Sequence, residues 1–590
     1  MKNLILSLHN PRAMKEKNSL LAGEWVKETI NSKETSHLND IFFSRSDLKE
    51  ERIKSCIESD KIYRNILRDL VNEFNKLHSV QLNLKAWKII LTPWLKKFID
   101  ICYQKDSLID EILEKYQIDK IYGIKNENYK TYSDDSYAIH PNSRNILWIN
   151  IIFYKLIIFK KLKLKTDFYN VNIKKDLTEE YKKKVVYKKS ILKKIISLIF
   201  NIFKVFIRKK NALIIGTGLP FIYEKLLELS FYQFPQFYET EKIIYEKYDC
   251  RLRSKIKLTN NSKNKNVENF IREILPEYLP LCFVENFKKI FADCEKNFPK
   301  NPKFILSSYN VDFDEKFKIF AAKKVNNEVP YYLMQHGNTY FVEDFIKNRH
   351  EYETSTKFFT LGYEKDEKFK SIGNPKLLGK KINYNLKNGN LNLFAPPMLG
   401  LFFPYDRNQE FLRSFELISN FKKKIDNEIN PFLKLRLHPN FSTSRGEWFK
   451  KEYLSDYKQN QIDNGTINYK SFLSNSRLNL FFYDSSGLYE NLIFNVPSIG
   501  IWTNDTKLFY NHINDDFIEK YQLLKDAKVI FGNLNEMINH IQKYWYNIDS
   551  WWLSNKTQKN IKEFNKKLNL KTNFSSFLNL RKEIIKNKSI

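Results

Sequence analysis

Leu478-Asn479-Leu480-Phe481-Phe482-Tyr483-Asp484-Ser485-Ser486-Gly487-Leu488-Tyr489-Glu490 is the segment from which the architecture can be read. Leu478–Phe482 is a short apolar run of the length and character of a buried parallel strand. Tyr483-Asp484-Ser485-Ser486-Gly487 then forms a polar turn, and Leu488 and Leu492 beyond it recur at helical spacing. Strand, polar turn and helix form the repeating unit of an open parallel α/β sheet, whose ligands bind beyond the carboxyl ends of the strands. The first N–H groups of a helix and its dipole attract anions, and two hydroxyls add donors. Gly487 is expected to let a phosphate approach the backbone. Glu490, four residues after Ser486 on the same helix face, is placed to accept ribose hydroxyls. Ordinary N-capping by Ser486, with Glu490 as a solvated helix residue, explains the same residues equally well.

The neighbouring segments repeat the pattern. Phe432–Leu437 reads as a strand ending in His438-Pro439, where proline stops further ladder pairing. An imidazole on that edge can donate a hydrogen bond to a phosphate or protonate a departing one. A lone strand-end histidine is more often structural, but one paired with a phosphate-type turn favours the functional reading. Leu391–Phe394 before Ala395-Pro396-Pro397 and Pro497–Trp502 complete this series.

A separate series begins at Asn211. Ala212–Ile215 leads into Gly216-Thr217-Gly218 and a helix from Phe221 to Leu229, without the third glycine of a dinucleotide fingerprint. Phe304–Ser307 runs into Ser308-Tyr309-Asn310, and Tyr331–Met334 into Gln335-His336-Gly337-Asn338-Thr339. His336 is the candidate base or acceptor-orienting group, with Gln335, Gly337, Asn338 and Asn310 on the acceptor side. Asp312, Asp314, Glu315, Glu343 and Asp344 compete for the base role but read mostly as solvated loop charges. His9, His37, His78, His140, His350, His512 and His540 are given no role. Gly373-Asn374-Pro375 marks a boundary, followed by a linker near 375–390.

The remaining segments frame these two series. Residues 1–150 read as an α/β region whose first strand is Leu4–Leu8. Asn72–Ile101 has helical spacing with a break expected at Pro93, and Trp87 and Trp94 serve as packing anchors. Residues 151–210 read as a basic helical connector, 211–385 and 386–545 as the two Rossmann-like domains, and 546–590 as helices packing back across them. At 590 residues the chain is too long for one core. Its formal charge of +31 comes from 99 Lys+Arg against 68 Asp+Glu. The lysines are spread along the whole chain, so no basic groove for nucleic acid stands out. Five scattered cysteines without a Cys-x-x-Cys pair argue against zinc and disulfide frameworks and suit a reducing cytoplasm. No apolar run reaches the length of a spanning helix. Ile191–Ile207, interrupted by lysines and followed by Arg208-Lys209-Lys210, can lie on an anionic membrane surface or pack on the protein body.

Taken together, several segments resemble a family of transferases found in O-antigen and surface-polysaccharide gene clusters of spirochaetes and other bacteria. They are the N-terminal strand with Gly23-Glu24-Trp25, and Leu77-His78 with Trp87 and Thr92-Pro93-Trp94-Leu95. Further on come Gly216-x-Gly218-x-Pro220 with Pro235, Ser308-x-Asn310, Phe317-Lys318 to Ala322, and Gln335-His336-Gly337. The two strand–helix series in tandem resemble the GT-B architecture of glycosyltransferases, two doubly wound domains facing a cleft. The C-terminal half is similar to capsule-polysaccharide transferases and CDP-glycerol glycerophosphotransferases. That resemblance implies a donor phosphate, CMP- or CDP-linked, held by His438, Ser485 and Ser486, and an acceptor base at His336; Pro439 and Gly487 are counted with the donor-binding residues for their place in the two turns. Asn338 stands where those relatives are expected to carry a second glycine. The expected activity is sugar transfer from a nucleotide sugar to a glycan or lipid-linked acceptor, in the cytoplasm, either free or at the inner face of the cytoplasmic membrane. Alditol-phosphate transfer is the first rival, a non-catalytic scaffold or basic nucleic-acid-binding protein the less favoured ones. No Asp-x-Asp pair flanks the donor turn, so no obligatory metal is expected.

Overall fold

A computed structural model describes the chain except residues 29, 31, 39, 46–48, 172–211, 234–241, 259–265, 297, 338–348, 363, 365, 399–407, 503–514 and 587–590. Three parallel sheets follow one another along the chain. The third contains the segment quoted first: β10 (Asn390–Phe394), β11 (Leu433–Arg436), β12 (Ile462–Asp463), β13 (Ser476–Phe481), β14 (Ser498–Ile501) and β15 (Ile530–Phe531), in the order β12-β11-β10-β13-β14-β15. Counted within the domain this is 3-2-1-4-5-6, the Rossmann order, and its switch point lies at β10. Leu391 pairs with Leu433 on one side and Leu478 on the other. Every residue of β13 is buried, as a central strand covered on both faces requires.

The second sheet runs β5 (Leu213–Ile215), β6 (Ile305–Ser307), β7 (Tyr331–Met334), β8 (Lys357–Thr360), β9 (Phe369–Ser371) in sequential order. Both are parallel α/β sheets, as expected from the sequence; among the described residues only the third has the doubly wound order, while the second runs sequentially without a reversal. The last helix, Phe574–Ile585, returns to the second sheet: Phe577, Leu580 and Ile584 are buried with Ile214, Leu306, Tyr332 and Phe359 in one core.

The first sheet comprises β1 (Lys2–Ile5), β2 (Ser19–Leu21), β3 (Ile118–Lys125) and β4 (Lys165–Asn170), ordered β2-β1-β3-β4. It therefore extends past the expected boundary at 150. The helix Ile146–Lys160 packs against β3, and β4 pairs with β3. The start of the expected basic connector is thus part of this domain, its lysines sitting at the edge of an otherwise apolar helix. The rest of the connector lies outside the described residues.

The helical break expected at Pro93 is not there. One helix ends at His78, the chain turns through Ser79 at φ 56°, and a second helix runs from Leu84 to Lys115 straight through Pro93. Proline removes one intrahelical donor, but the flanking Trp87, Ile90, Leu91, Trp94 and Leu95 are all buried. Packing of that face outweighs the missing bond. Asn83 caps the second helix by accepting from the Ala86 N–H at 2.9 Å.

Two buried links tie the first region to the other sheets. Glu315 and Lys318 pair at 2.8 Å and share Ser136, while Arg445 reaches Glu28 at 2.7 Å.

Candidate active site between the second and third sheets

The His-Pro turn is built by its neighbours. Asn440 exchanges two hydrogen bonds with the Met398 backbone, tying the loop after β10 to the turn after β11. Gly465, at φ 77°, leaves room for the Pro439 ring, which a Cβ would meet at 2.7 Å. His438 Nδ1 accepts from the Asn440 N–H at 3.3 Å, which leaves Nε2 as the protonated, donating nitrogen. The residue is exposed at its outer edge, yet its surroundings desolvate the ring. That burial lowers its pKa, Asn440 opposing and Arg144 and Arg436 adding to it.

β11 and β13 flank β10, so His438 and the serine turn leave neighbouring-but-one strands, about 10 Å apart at normal strand spacing. Ser485, not Ser486, is the N-cap of the helix Ser486–Ile493: its Oγ accepts from the Gly487 N–H at 3.1 Å and donates to Tyr483 Oη. The capping reading therefore holds for Ser485 and moves off Ser486, the first residue inside the helix. Gly487 is explained by packing: a Cβ would meet Tyr469 Oη at 2.9 Å. Glu490 is half-buried, not solvated; burial raises its pKa, with Lys380 and Lys376 opposing.

Opposite lie the strand ends of the second sheet. A Cβ placed on Gly337 would come to 3.6 Å from Ser486 Oγ, so the acceptor-side loop and the donor turn face each other directly. Gln335 shapes the loop: its side-chain N–H bonds the Gly337 carbonyl, and its carbonyl accepts from the Leu361 N–H at 3.0 Å. Asn310 is likewise internal, donating to Asp314 at 3.1 Å and packing on Gly216. Asn338, Glu343 and Asp344 lie outside the described residues.

His336 sits 5.7 Å from the Tyr309 ring. Burial pushes it down to about 4, against the opposing charge of Asp312, with Lys376 and Lys97 adding to the fall. It is therefore neutral at physiological pH, the form that can accept a proton.

Of the carboxylates expected to be solvated, the three described ones are not. Asp314 caps the helix Glu315–Asn326 at 2% exposure, and Glu315, 3% exposed, is the partner of Lys318. Burial acts to raise Asp312, but nearby positive charge, Lys97 foremost, outweighs it and lowers its pKa, the neighbouring histidines contributing only where acid protonates them. Short loops between a strand and a helix carry these acids inward, where caps and cations satisfy them.

Residues without any sequence signal complete the surroundings. His350 Nε2 lies 3.9 Å from Asp312 Oδ1, and with Glu351 their ligand-type atoms fall within 4.8 Å. Such a trio has the donor types of a divalent-cation site. Lys97, which contacts His140 at 3.2 Å, already supplies positive charge beside Asp312.

The model of a family described as "LIC12162 family transferase" matches residues 2–582. The chain belongs to the LIC12162 transferase family. Among solved structures, two of the spinosyn rhamnosyltransferase SpnG are similar. The complex with spinosyn aglycone is 8% identical, covering 50% of this chain and 80% of SpnG with a TM-score of 0.25. The structure titled without the aglycone is 7% identical, covering 50% and 79%, again at 0.25. A TM-score so low carries neither substrate nor residue roles across. No curated protein matches. Among the described residues no helix is long and apolar enough to cross a membrane.

Proposed function

We propose that this LIC12162-family transferase moves a sugar from a nucleotide donor to a glycan or lipid-linked hydroxyl in surface-polysaccharide assembly. The observation that supports this most is the apposition of Gly337 and Ser486, beside the switch point of a sheet in Rossmann order. In this reading Ser486 and His438 Nε2 donate to the donor phosphate, Pro439, Ser485 and Gly487 shape the pocket, and Glu490 accepts from the ribose. Neutral His336 takes the proton of the acceptor hydroxyl, or orients it, as the oxygen bonds the anomeric carbon. The bond from that carbon to the donor phosphate breaks, and its electron pair leaves with the phosphate. Stabilising that developing charge is the main catalytic task. No metal is assigned to the donor turn. Residues 191–210, the expected membrane contact, lie outside the described residues.

A thermal-shift screen of CMP-, CDP-, UDP- and GDP-linked sugars tests the donor, since a ligand of the native state raises its stability. A cytidine-linked donor is expected to give the largest shift, and no shift with any of them overturns the reading. Product analysis with labelled donor separates sugar transfer from alditol-phosphate transfer.

A further inference from the structure

The turn that follows the second sheet brings a lysine to the carboxyl end of one of its strands. Pro375–Leu377 forms a single helical turn, held from behind by the Asn374 N–H donating to the Lys571 carbonyl at 2.5 Å and anchored by buried Leu377 and Leu378. Lys376 is 6% exposed. Its Nζ donates to Ser308 Oγ at 3.0 Å and lies 4.8 Å from the centre of the Tyr309 ring. Ser308 Oγ in turn donates to the Met334 carbonyl. Gly218, at φ 75°, makes the space: a Cβ there would meet Lys376 Cε at 3.2 Å and Tyr309 Oη at 3.0 Å.

An ammonium has three protons to donate, and among the described residues this one has a single hydrogen bond, to a neutral hydroxyl. Among the described residues no carboxylate stands within 4.0 Å of it; Glu351 and Glu490 act on it only at longer range. A buried cation without an anion is costly. The cost shows in its acidity: burial pushes Lys376 down to about 7, Glu351 and Glu490 opposing and Lys380 adding to the fall. A structural lysine is expected to sit against a carboxylate, as Lys318 does. This one sits at the ends of two strands, on the ring that His336 also approaches, with Gly337 leading across to Ser486.

We propose that Lys376 is the anion-binding cation of the cleft, taking a phosphate oxygen of the bound donor and neutralising the phosphate as it departs. The proposal rests on the donor reading above and deepens it. Lys376 transfers no proton in this role. A phosphate bound beside it favours the ammonium form, and that charge is what the leaving phosphate meets. Charge-assisted bonds of this kind are the strong ones.

The test is calorimetric binding of inorganic pyrophosphate and of CDP to the full chain, as wild type and as Lys376→Met, Lys376→Gln and Lys376→Arg. Wild type is expected to bind both, the two neutral variants at least about tenfold more weakly, and Lys376→Arg in between. Without ligand, the neutral variants are expected to melt no lower than wild type, since an unpaired buried charge has gone. Neutral variants that bind pyrophosphate within twofold of wild type overturn the proposal. So does a wild type that does not bind it, or a neutral variant whose only change is a lower melting temperature. Lysine-dependent pyrophosphate binding without sugar transfer sinks the donor reading and leaves the anion site standing. Sugar transfer undiminished in Lys376→Met does the reverse.

Discussion

Ser485 and Ser486 are chemically identical neighbours with different tasks. Ser485 spends its hydroxyl on the Gly487 N–H and Tyr483, so Ser485→Ala is expected to lower stability by about 1 kcal/mol, the value of a lost cap. Ser486→Ala is expected to weaken donor binding; thermal-shift titration of both variants with donor checks the contrast. For His336→Ala the expected loss is in turnover, about 100- to 10,000-fold, with donor affinity kept. Because the imidazole is held near 4, wild-type turnover should show no acid limb near pH 6.5. A limb there would assign the base elsewhere. At this scale the sequence was only partly readable. The turns that carry Gly337 and Ser486 face each other, and both were read from the ends of apolar strands. Lys376, Lys97 and His350 were silent, because a lysine or histidine inside a helix or turn reads as solvated until tertiary packing places it.

The helix Lys49–His78 ends on a histidine whose surroundings are almost wholly aromatic. His78 stacks on Phe287 at 4.3 Å between ring centres, and its Nε2–H donates to the Phe283 carbonyl at 3.0 Å. Burial pushes it down to about 4, that carbonyl opposing and Lys288 adding to the fall. The folded value lies below the unfolded one, about 6.5, so the unfolded chain takes up the proton first and stability falls as pH drops from 6.5 towards 4. His78 alone should cost about 2 kcal/mol between pH 7 and pH 5. Urea unfolding at the two pH values measures it, and His78→Gln should shrink the difference by about that amount, the other buried histidines keeping their share. Apolar runs placed some strands and missed others: β7 was expected at Tyr331–Met334 and is found there, whereas the first strand, expected at Leu4–Leu8, runs Lys2–Ile5, and β3, β4 and β8 were not read at all. The helix pair was misread because local proline chemistry was weighed above the packing of Trp87 and Trp94, which no short-range pattern quantifies.

Across the whole molecule, the first region holds both cleft domains, through Glu315–Lys318–Ser136 on one side and Glu28–Arg445 on the other. Lys318→Met leaves Glu315 buried and unpaired, and about 3–5 kcal/mol of stability should be lost. Lys318→Met with Glu315→Leu should recover much of it in the same denaturation experiment. Nothing in the sequence marked this pairing, since residues 136 and 315 meet only in the finished fold. The tail shows the same dependence more sharply. Leu580 is fully buried against the second sheet, and Leu580→Ala should cost about 2–5 kcal/mol. The second sheet's strands end at Ser371, yet its core closes only with Phe577, Leu580 and Ile584. During translation, then, a finished set of strands must wait with one greasy face open until the ribosome has also made Phe574–Ile585. Chains cut short near 570 should clump in the cell rather than accumulate as active fragments.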